Sequence, residues 1–268
     1  MKIRVLLFGL LFFPLSLGAA PLQDLLIQSA RPLAQEAGEK TPIVFYLERP
    51  HARGQLARWD RQKKCFYLSK TALKKWFKQT QEPTPKLLAR CLAPLYQHEK
   101  FHAENDLLAE QNGFIWPLTL GDEVLATAKQ VAFMQQKTEE QPEYYKNCTF
   151  LTPALSTERK AAKQRNWPAF EVSVLTRYAR LPAHKLPPPP LTPEFIRQAQ
   201  TGKIVYGPLM YKVRAKGVTL QKVFSAGRPW TSVNTKELDK MTDFPFFKIY
   251  LKIFTDQTNQ IKRELFRR

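Results

Sequence analysis

The order of apolar and polar positions predicts short alternating elements in the first part of the chain. Leucines recur at helical spacing from Leu22 to Leu33, and Gly38 ends that pattern, which indicates an amphipathic helix. The stretch after it is dense in β-branched and aromatic residues, as strands are. The segments predicted next are a strand at 41–48, a hairpin of 55–59 and 64–69 around a polar turn at 60–63, and a short basic helix at 71–79.

Two longer helices are predicted in the middle of the chain. Thr84 can cap a helix that starts at Pro85 and continues to about Gln111, where Asn112 and Gly113 end it. Pro94 lies inside this pattern and predicts a kink or a restart. A second helix is predicted over 122–136, whereas 138–180 has no clear pattern.

A proline-rich stretch divides the remaining sequence. Pro187 to Pro190 form an unbroken run, which is typical of an extended spacer. The segments 203–215, 218–226 and 247–266 predict strands, the last with a hairpin turn at 256–259. We therefore expect an α+β protein with these parts: a signal peptide (1–20), a main domain (21–180), a proline-rich linker (181–195) and a small basic β-rich domain (196–268).

The first twenty residues have the pattern of a signal peptide. Lys2 and Arg4 precede an apolar stretch over 5–17, and Gly18 and Ala19 supply small residues for cleavage. The stretch is shorter than the roughly 20 residues of a membrane span. We expect a protein exported to the periplasm or secreted, without a transmembrane span; the alternative is an N-terminal core helix.

The charge balance adds a polyanion as a possible partner. Lys and Arg number 42 against 23 Asp and Glu in 268 residues, a net charge of +19. The region 196–268 combines this basic excess with aromatic residues. It predicts either a surface for an anionic envelope polymer or, as we favour, a solvated sheet. Because no nucleic-acid motif is present, no specific nucleic-acid partner is expected.

The three cysteines allow at most one internal disulfide. Cys65, Cys91 and Cys148 are far apart in sequence, which excludes a disulfide-dense scaffold and a four-cysteine metal finger. An exported chain can oxidise two of them, but the spacing does not select the pair. Three buried reduced thiols are the alternative.

One motif carries metal chemistry. His98-Glu99-Lys100-Phe101-His102 lies on a predicted helix, where spacing of four residues puts both imidazoles on one face. Glu99 lies about 100° around the helix, beside the metal, where a general base can take a proton from a water. Zinc lowers the pKa of such a water to about 7. Two solvated histidines on an exposed helix are the alternative.

A catalytic zinc needs a third protein ligand. Glu123 opens the following helix and is the preferred candidate, with Asp122 and Glu110 as weaker ones. Asp106 lies about 12 Å along the helix from His98, too far to share the metal. The upstream hairpin adds a sheet edge on which a peptide could lie.

His98-Glu99-x-x-His102 followed by Glu123-x-x-Ala126 resembles the gluzincins, zinc metallopeptidases whose third ligand is a glutamate on the next helix, and most closely the minimal gluzincins. The resemblance covers about 41–137. It implies a zincin-like core in which His98, His102 and Glu123 bind Zn²⁺ and Glu99 is the general base. Two residues differ from the family pattern: Lys100 is charged, and Thr127 replaces an aspartate that orients a histidine ligand.

The predicted function is an exported zinc-dependent metallopeptidase that hydrolyses peptide or protein substrates with a zinc-activated water. The alternative is a catalytically silent zincin-like protein that binds an anionic envelope or protein ligand through its basic C-terminal surface. A peptidase also needs a donor to the tetrahedral oxyanion. The downstream candidates for that donor are Tyr144, Tyr145, Tyr178 and His184.

Overall fold

The computed structural model describes most of the main domain and several later elements. It covers residues 19–48, 56–113, 116, 119–152, 155–178, 203–206, 209–212, 219–223, 229–234 and 247–266. The predicted signal peptide, apart from Ala19 and Ala20, and the predicted linker lie outside the described residues.

The described elements comprise helices and two small sheets. The helices are α1 (Ala19–Ala37), α2 (Lys70–Gln79), α3 (Pro85–Gln111), α4 (Leu120–Glu140), α5 (Ser156–Lys163), α6 (Trp167–Tyr178) and α7 (Phe247–Leu265). The strands are β1 (Phe45–Glu48), β2 (Ala57–Asp60), β3 (Cys65–Ser69), β4 (Lys203–Tyr206), β5 (Leu209–Lys212), β6 (Thr219–Val223) and β7 (Pro229–Asn234). No helix among these residues is long and apolar enough to cross a bilayer.

The predicted first helix is confirmed as α1. Its leucine face is buried, with Leu22, Leu26 and Leu33 at most 2% exposed, and it packs on α3. Gly38 follows the helix with a φ of +74°, a conformation that glycine adopts without the steric cost of a side chain. The C-terminal end of α1 thus follows from its sequence.

The first sheet has the strand order β1-β3-β2. The predicted hairpin is confirmed, since β2 pairs antiparallel with β3, whereas β1 runs parallel to β3. Phe66 of the central strand contacts Trp59 and the ring of Tyr96 on α3, with ring centroids 5.0 and 5.2 Å away. The sheet therefore lies directly against the helix that carries the metal motif.

Helix α3 starts at the cap that its sequence predicts, and α4 starts two residues before the predicted 122. The Thr84 hydroxyl accepts the backbone N–H of Leu87, and Pro85 is the first helical residue. Thr119 and Asp122 form a reciprocal capping box at the start of α4. Pro94 lies inside α3, which continues as one helix through it.

Two hydrophobic clusters meet along α3. The first joins α1, α2, the sheet and the N-terminal half of α3 up to Tyr96. The second begins at Phe101 and joins α3 with the later helices. His98 and His102 lie where the two clusters meet on α3: His98 follows Tyr96, the last α3 residue of the first cluster, and His102 follows Phe101, the first α3 residue of the second.

The prediction of strands with a hairpin turn over 247–266 is wrong, because this segment forms the helix α7. Tyr250, Phe254, Ile261 and Leu265 are buried, at a spacing of four or seven residues that puts them on one helix face. This face packs in the second cluster, against α4 and α6, so α7 completes the core of the main domain instead of belonging to a separate β-rich unit.

The region before α7 contains a second sheet. Strands β4, β5, β6 and β7 pair antiparallel in sequence order. Strands were predicted over 203–215 and 218–226; the first of these segments holds two strands and the second holds β6. Strand β7 was not predicted.

One disulfide joins Cys91 on α3 to Cys148, across 57 residues of sequence. Both residues are fully buried in the first cluster, and Cys65 is free. The sequence allowed one bridge and left the pair open. The bridge fixes the helix of the metal motif to the segment that follows α4.

Candidate metal centre

The helix α3 brings His98 and His102 together as their spacing predicts. Their Nε2 atoms are 3.4 Å apart, and both side chains are largely buried. Since both rings leave the same face one turn apart, two nitrogen lone pairs can reach a common point. This is one half of a metal site.

Glu123 supplies the other half from the first turn of α4. One carboxylate oxygen is 3.3 Å from His98 Nε2, and the other is 3.7 Å from His102 Nε2. Ligands about 2.0–2.1 Å from a tetrahedral zinc are about 3.3 Å from one another. The three side chains, whose ligand atoms lie within 4.8 Å of each other, therefore fit a zinc ion.

The other carboxylates considered as third ligands have different partners. Asp122 accepts hydrogen bonds from Thr119 and from the Trp116 indole, within the cap of α4. Glu110 pairs with Lys64. Asp106 accepts the Trp59 indole N–H and pairs with Arg61. Their carboxylates hold elements together, which leaves Glu123 with the histidines.

Glu99 lies beside the histidines and is only 8% exposed. One of its carboxylate oxygens accepts the backbone N–H of Trp59 at 2.7 Å. Burial raises the pKa of Glu99 to about 7, although the charge of His98 opposes the shift. A carboxylate that exchanges a proton near neutral pH can act as a general base.

The two histidines differ in basicity. Burial lowers the pKa of His102 to about 4, so its ring is neutral at pH 7 and able to bind metal. Burial also opposes the charge on His98, but the hydrogen bond to Glu123 and the carboxylate of Glu99 raise its pKa overall. A metal entering the site thus competes with a proton on His98.

The two departures from the gluzincin pattern have visible contacts. The Lys100 ammonium pairs with Glu39 at 2.5 Å, on another side of α3 from the triad. The Thr127 hydroxyl is 3.4 Å from Arg177. The buried Nδ1 of His102 has no hydrogen-bond partner among the described residues. Among the described residues, therefore, no protein group orients the His102 ring through this nitrogen.

Arg177 was missed in the sequence. It lies in the last turn of α6, in a segment without a clear pattern, and pairs with the buried Glu158 at 3.4 Å. Its positive charge opposes the overall rise in the pKa of His98. No sequence signal links Arg177 to the motif, because α6 reaches the site only through tertiary packing.

The tyrosines considered as oxyanion donors are not assembled at the triad. Tyr144 donates to Glu36 of α1 and lies under the guanidinium of Arg90, while the Tyr145 ring packs with the two hydrophobic clusters. The side chain of Tyr178 and the whole of His184 lie outside what the structure describes. The oxyanion donor stays unassigned.

Comparison of the chain with protein-family models, curated proteins and solved structures finds no match. The gluzincin resemblance therefore stays a prediction that depends on the motif and on the arrangement of the triad.

Proposed function

We propose that this protein is an exported zinc-dependent metallopeptidase with His98, His102 and Glu123 as the metal ligands. The observation that carries the proposal is the spacing of 3.3–3.7 Å among their ligand atoms, which fits tetrahedral zinc. The disulfide between Cys91 and Cys148 supports export, since disulfides persist in oxidising compartments.

The chain's own groups divide the work of peptide hydrolysis. Bound zinc supplies a Lewis acid that polarises a carbonyl and lowers the pKa of water. Glu99 takes the proton from the attacking water and returns it to the leaving nitrogen. The hydrogen bond that Glu99 accepts from the Trp59 backbone N–H holds one of its carboxylate oxygens in place and so restricts rotation of the side chain.

The position of β2 supports a peptide as substrate. Strand β2 is at an edge of its sheet, and the N–H of Trp59 points away from β3 toward Glu99. The Trp59 N–H is taken by Glu99, so a peptide that extends this edge past the triad would bind the other outward-facing backbone groups of β2, through hydrogen bonds that do not depend on side-chain identity. Such binding suits a peptide or protein substrate.

The proposal is tested by metal analysis and peptidase assays on the mature protein. Glu99→Gln keeps the volume and both histidines, so zinc should bind near one equivalent while activity falls about 10²–10⁴-fold. His102→Ala should remove both metal and activity. Glu104→Gln is a matched control, because Glu104 is largely exposed on the same helix.

Three results would contradict the proposal. A parent protein without stoichiometric zinc has no metal site. A zinc-loaded parent that cleaves no member of a diverse peptide pool is not a peptidase. Activity that survives in Glu99→Gln assigns the base elsewhere.

Two observations favour a second candidate function, a catalytically silent zincin-like protein that binds an anionic envelope or protein ligand through its basic C-terminal surface. Among the described residues, no group accepts a hydrogen bond from Nδ1 of His102, and Thr127 contacts Arg177, so this ring lacks the usual carboxylate support there. Loss of such support typically costs tenfold or more in metal affinity or activity. Zinc binding without turnover in the assay above would select this candidate.

A further inference from the structure

The guanidinium of Arg177 contacts Thr127, which lies one helical turn after the predicted metal ligand Glu123 on α4. Thr127 follows Glu123 by four residues on α4, so the two share a face and their Cβ atoms are about 6 Å apart. Arg177 Nη2 is 3.4 Å from the Thr127 hydroxyl. A positive charge therefore borders the triad within about 10 Å of Glu123.

Arg177 is positioned by a long ion pair with Glu158, which does not use all of its N–H donors. Glu158 is 5% exposed, and its oxygen is 3.4 Å from Arg177 Nη2, longer than a good charge-assisted hydrogen bond. The Nε of Arg177 is buried and has no hydrogen-bond partner among the described residues, while the side chain as a whole is 39% exposed. Because Nε is buried, it cannot meet a substrate; the donor left for one is Nη1, for which no hydrogen bond or ion pair is seen among the described residues.

The other two arginines whose charge acts on the site are occupied. Arg58 binds both carboxylate oxygens of Glu48 at 2.7 and 2.9 Å. Arg61 pairs with Asp106 at 2.5 Å and also donates to the Trp116 carbonyl. Of these three arginines, Arg177 has the longest ion-pair distance, and it is the one beside α4.

We propose that Arg177 is a specificity-determining residue that binds a carboxylate of the substrate, so that the site prefers acidic peptides. This inference rests on the proposed metal site and names its substrate class. Arginine binds carboxylates through paired N–H donors, which a neutral peptide does not satisfy. The carboxylate is either an acidic side chain or the C-terminal group of the peptide.

The distance fits a carboxylate close to the scissile bond. An extended peptide advances about 3.3 Å per residue, so a group about 10 Å from the metal ligands belongs to one of the next two or three residues. Both sources of a carboxylate reach this range. They differ in chemistry outside the carboxylate, and the probes below separate them.

The experiment measures binding to the zinc-loaded full chain by calorimetry. The probes are three short peptides with an N-terminal hydroxamate as zinc-binding group: one with a Glu side chain and a C-terminal amide, one with Gln and a free C-terminus, and one with Gln and an amide. We expect at least one acidic probe to bind about 10–100-fold more tightly than the neutral one. The tighter acidic probe identifies the source.

Substitutions of Arg177 test the assignment. Arg177→Gln should abolish the preference, and so should Arg177→Gln combined with Glu158→Gln, which avoids an unpaired buried carboxylate. Lys129→Gln removes the same charge from α4, where Lys129 pairs with Glu264, and should retain the preference. Zinc content shows that each variant keeps the site.

Equal affinities for all three probes, or a preference that persists in both Arg177 variants, overturn the inference. A preference without hydrolysis of the matching peptide contradicts the peptidase and leaves the role of Arg177 intact. Hydrolysis of the peptides without a preference for the acidic ones supports the peptidase and overturns the role of Arg177. Failure of the zinc-loaded protein to bind any hydroxamate overturns both.

Discussion

Removal of the Cys91–Cys148 bridge should cost a large part of the stability of the domain. In the chain-entropy model, a bridge that closes a loop of 57 residues lowers the conformational entropy of the unfolded chain and so stabilises the folded state by about 4 kcal/mol. With a slope of about 2–3 kcal/mol per molar urea, the unfolding midpoint should fall by about 1.5–2 M. The change is Cys91→Ala together with Cys148→Ala.

The assay is urea unfolding followed by tryptophan fluorescence, for the parent and for the double variant. Cys65→Ala is the matched control, because Cys65 is free and only partly buried, and its midpoint should stay close to that of the parent. A reducing agent should shift the parent toward the double variant and leave the double variant unchanged. A midpoint shift below about 0.3 M, or an equal shift in the control, would refute the reasoning.

Three further outcomes follow from the site and the core. Zinc affinity should rise with pH as His98 loses its proton, above the usual histidine pKa of about 6.5, with proton release in calorimetry, because the pKa of His98 is raised and its proton competes with the metal. Asp122→Asn should lower the free energy of unfolding by about 1–2 kcal/mol, since an amide nitrogen cannot accept the Thr119 N–H; Thr119→Ser should not. Phe254→Ala should lower the free energy of unfolding by about 3–5 kcal/mol in urea denaturation, because Phe254 is buried, whereas Lys252→Ala should change it little, because Lys252 is exposed. An unchanged melt for Phe254→Ala would mean that α7 lies outside the core.

Local signals in the sequence explain why α3 and α4 could be predicted. Thr84 and Pro85 start one helix, Gly113 follows its end, and Thr119 with Asp122 forms the cap of the other. These choices depend on neighbouring backbone groups alone. The spacing of His98 and His102 is local in the same sense, which is why the histidine pair of the candidate site is visible in sequence.

The error at α7 has a different physical origin. Its aromatic and β-branched residues favour a strand by propensity, whereas the spacing of Tyr250, Phe254, Ile261 and Leu265 is helical. Packing against α4 and α6 stabilises the helix through its apolar face, and these contacts are made with residues far away in the chain. Arg177 and the cysteine pair could not be predicted for the same reason, since both depend on tertiary contacts.

The packing of α7 also sets an order of events during synthesis. Until residues 247–265 have left the ribosome, the second cluster lacks one wall, and buried residues such as Trp116 and Leu175 lack their last neighbours. At about 5–20 residues per second, the interval between Tyr178 and Leu265 is on the order of ten seconds. During that time the nascent chain exposes the apolar surface that α7 later covers, although all three proposed metal ligands have already been synthesised. A chaperone that holds the chain through this interval would protect it from aggregation.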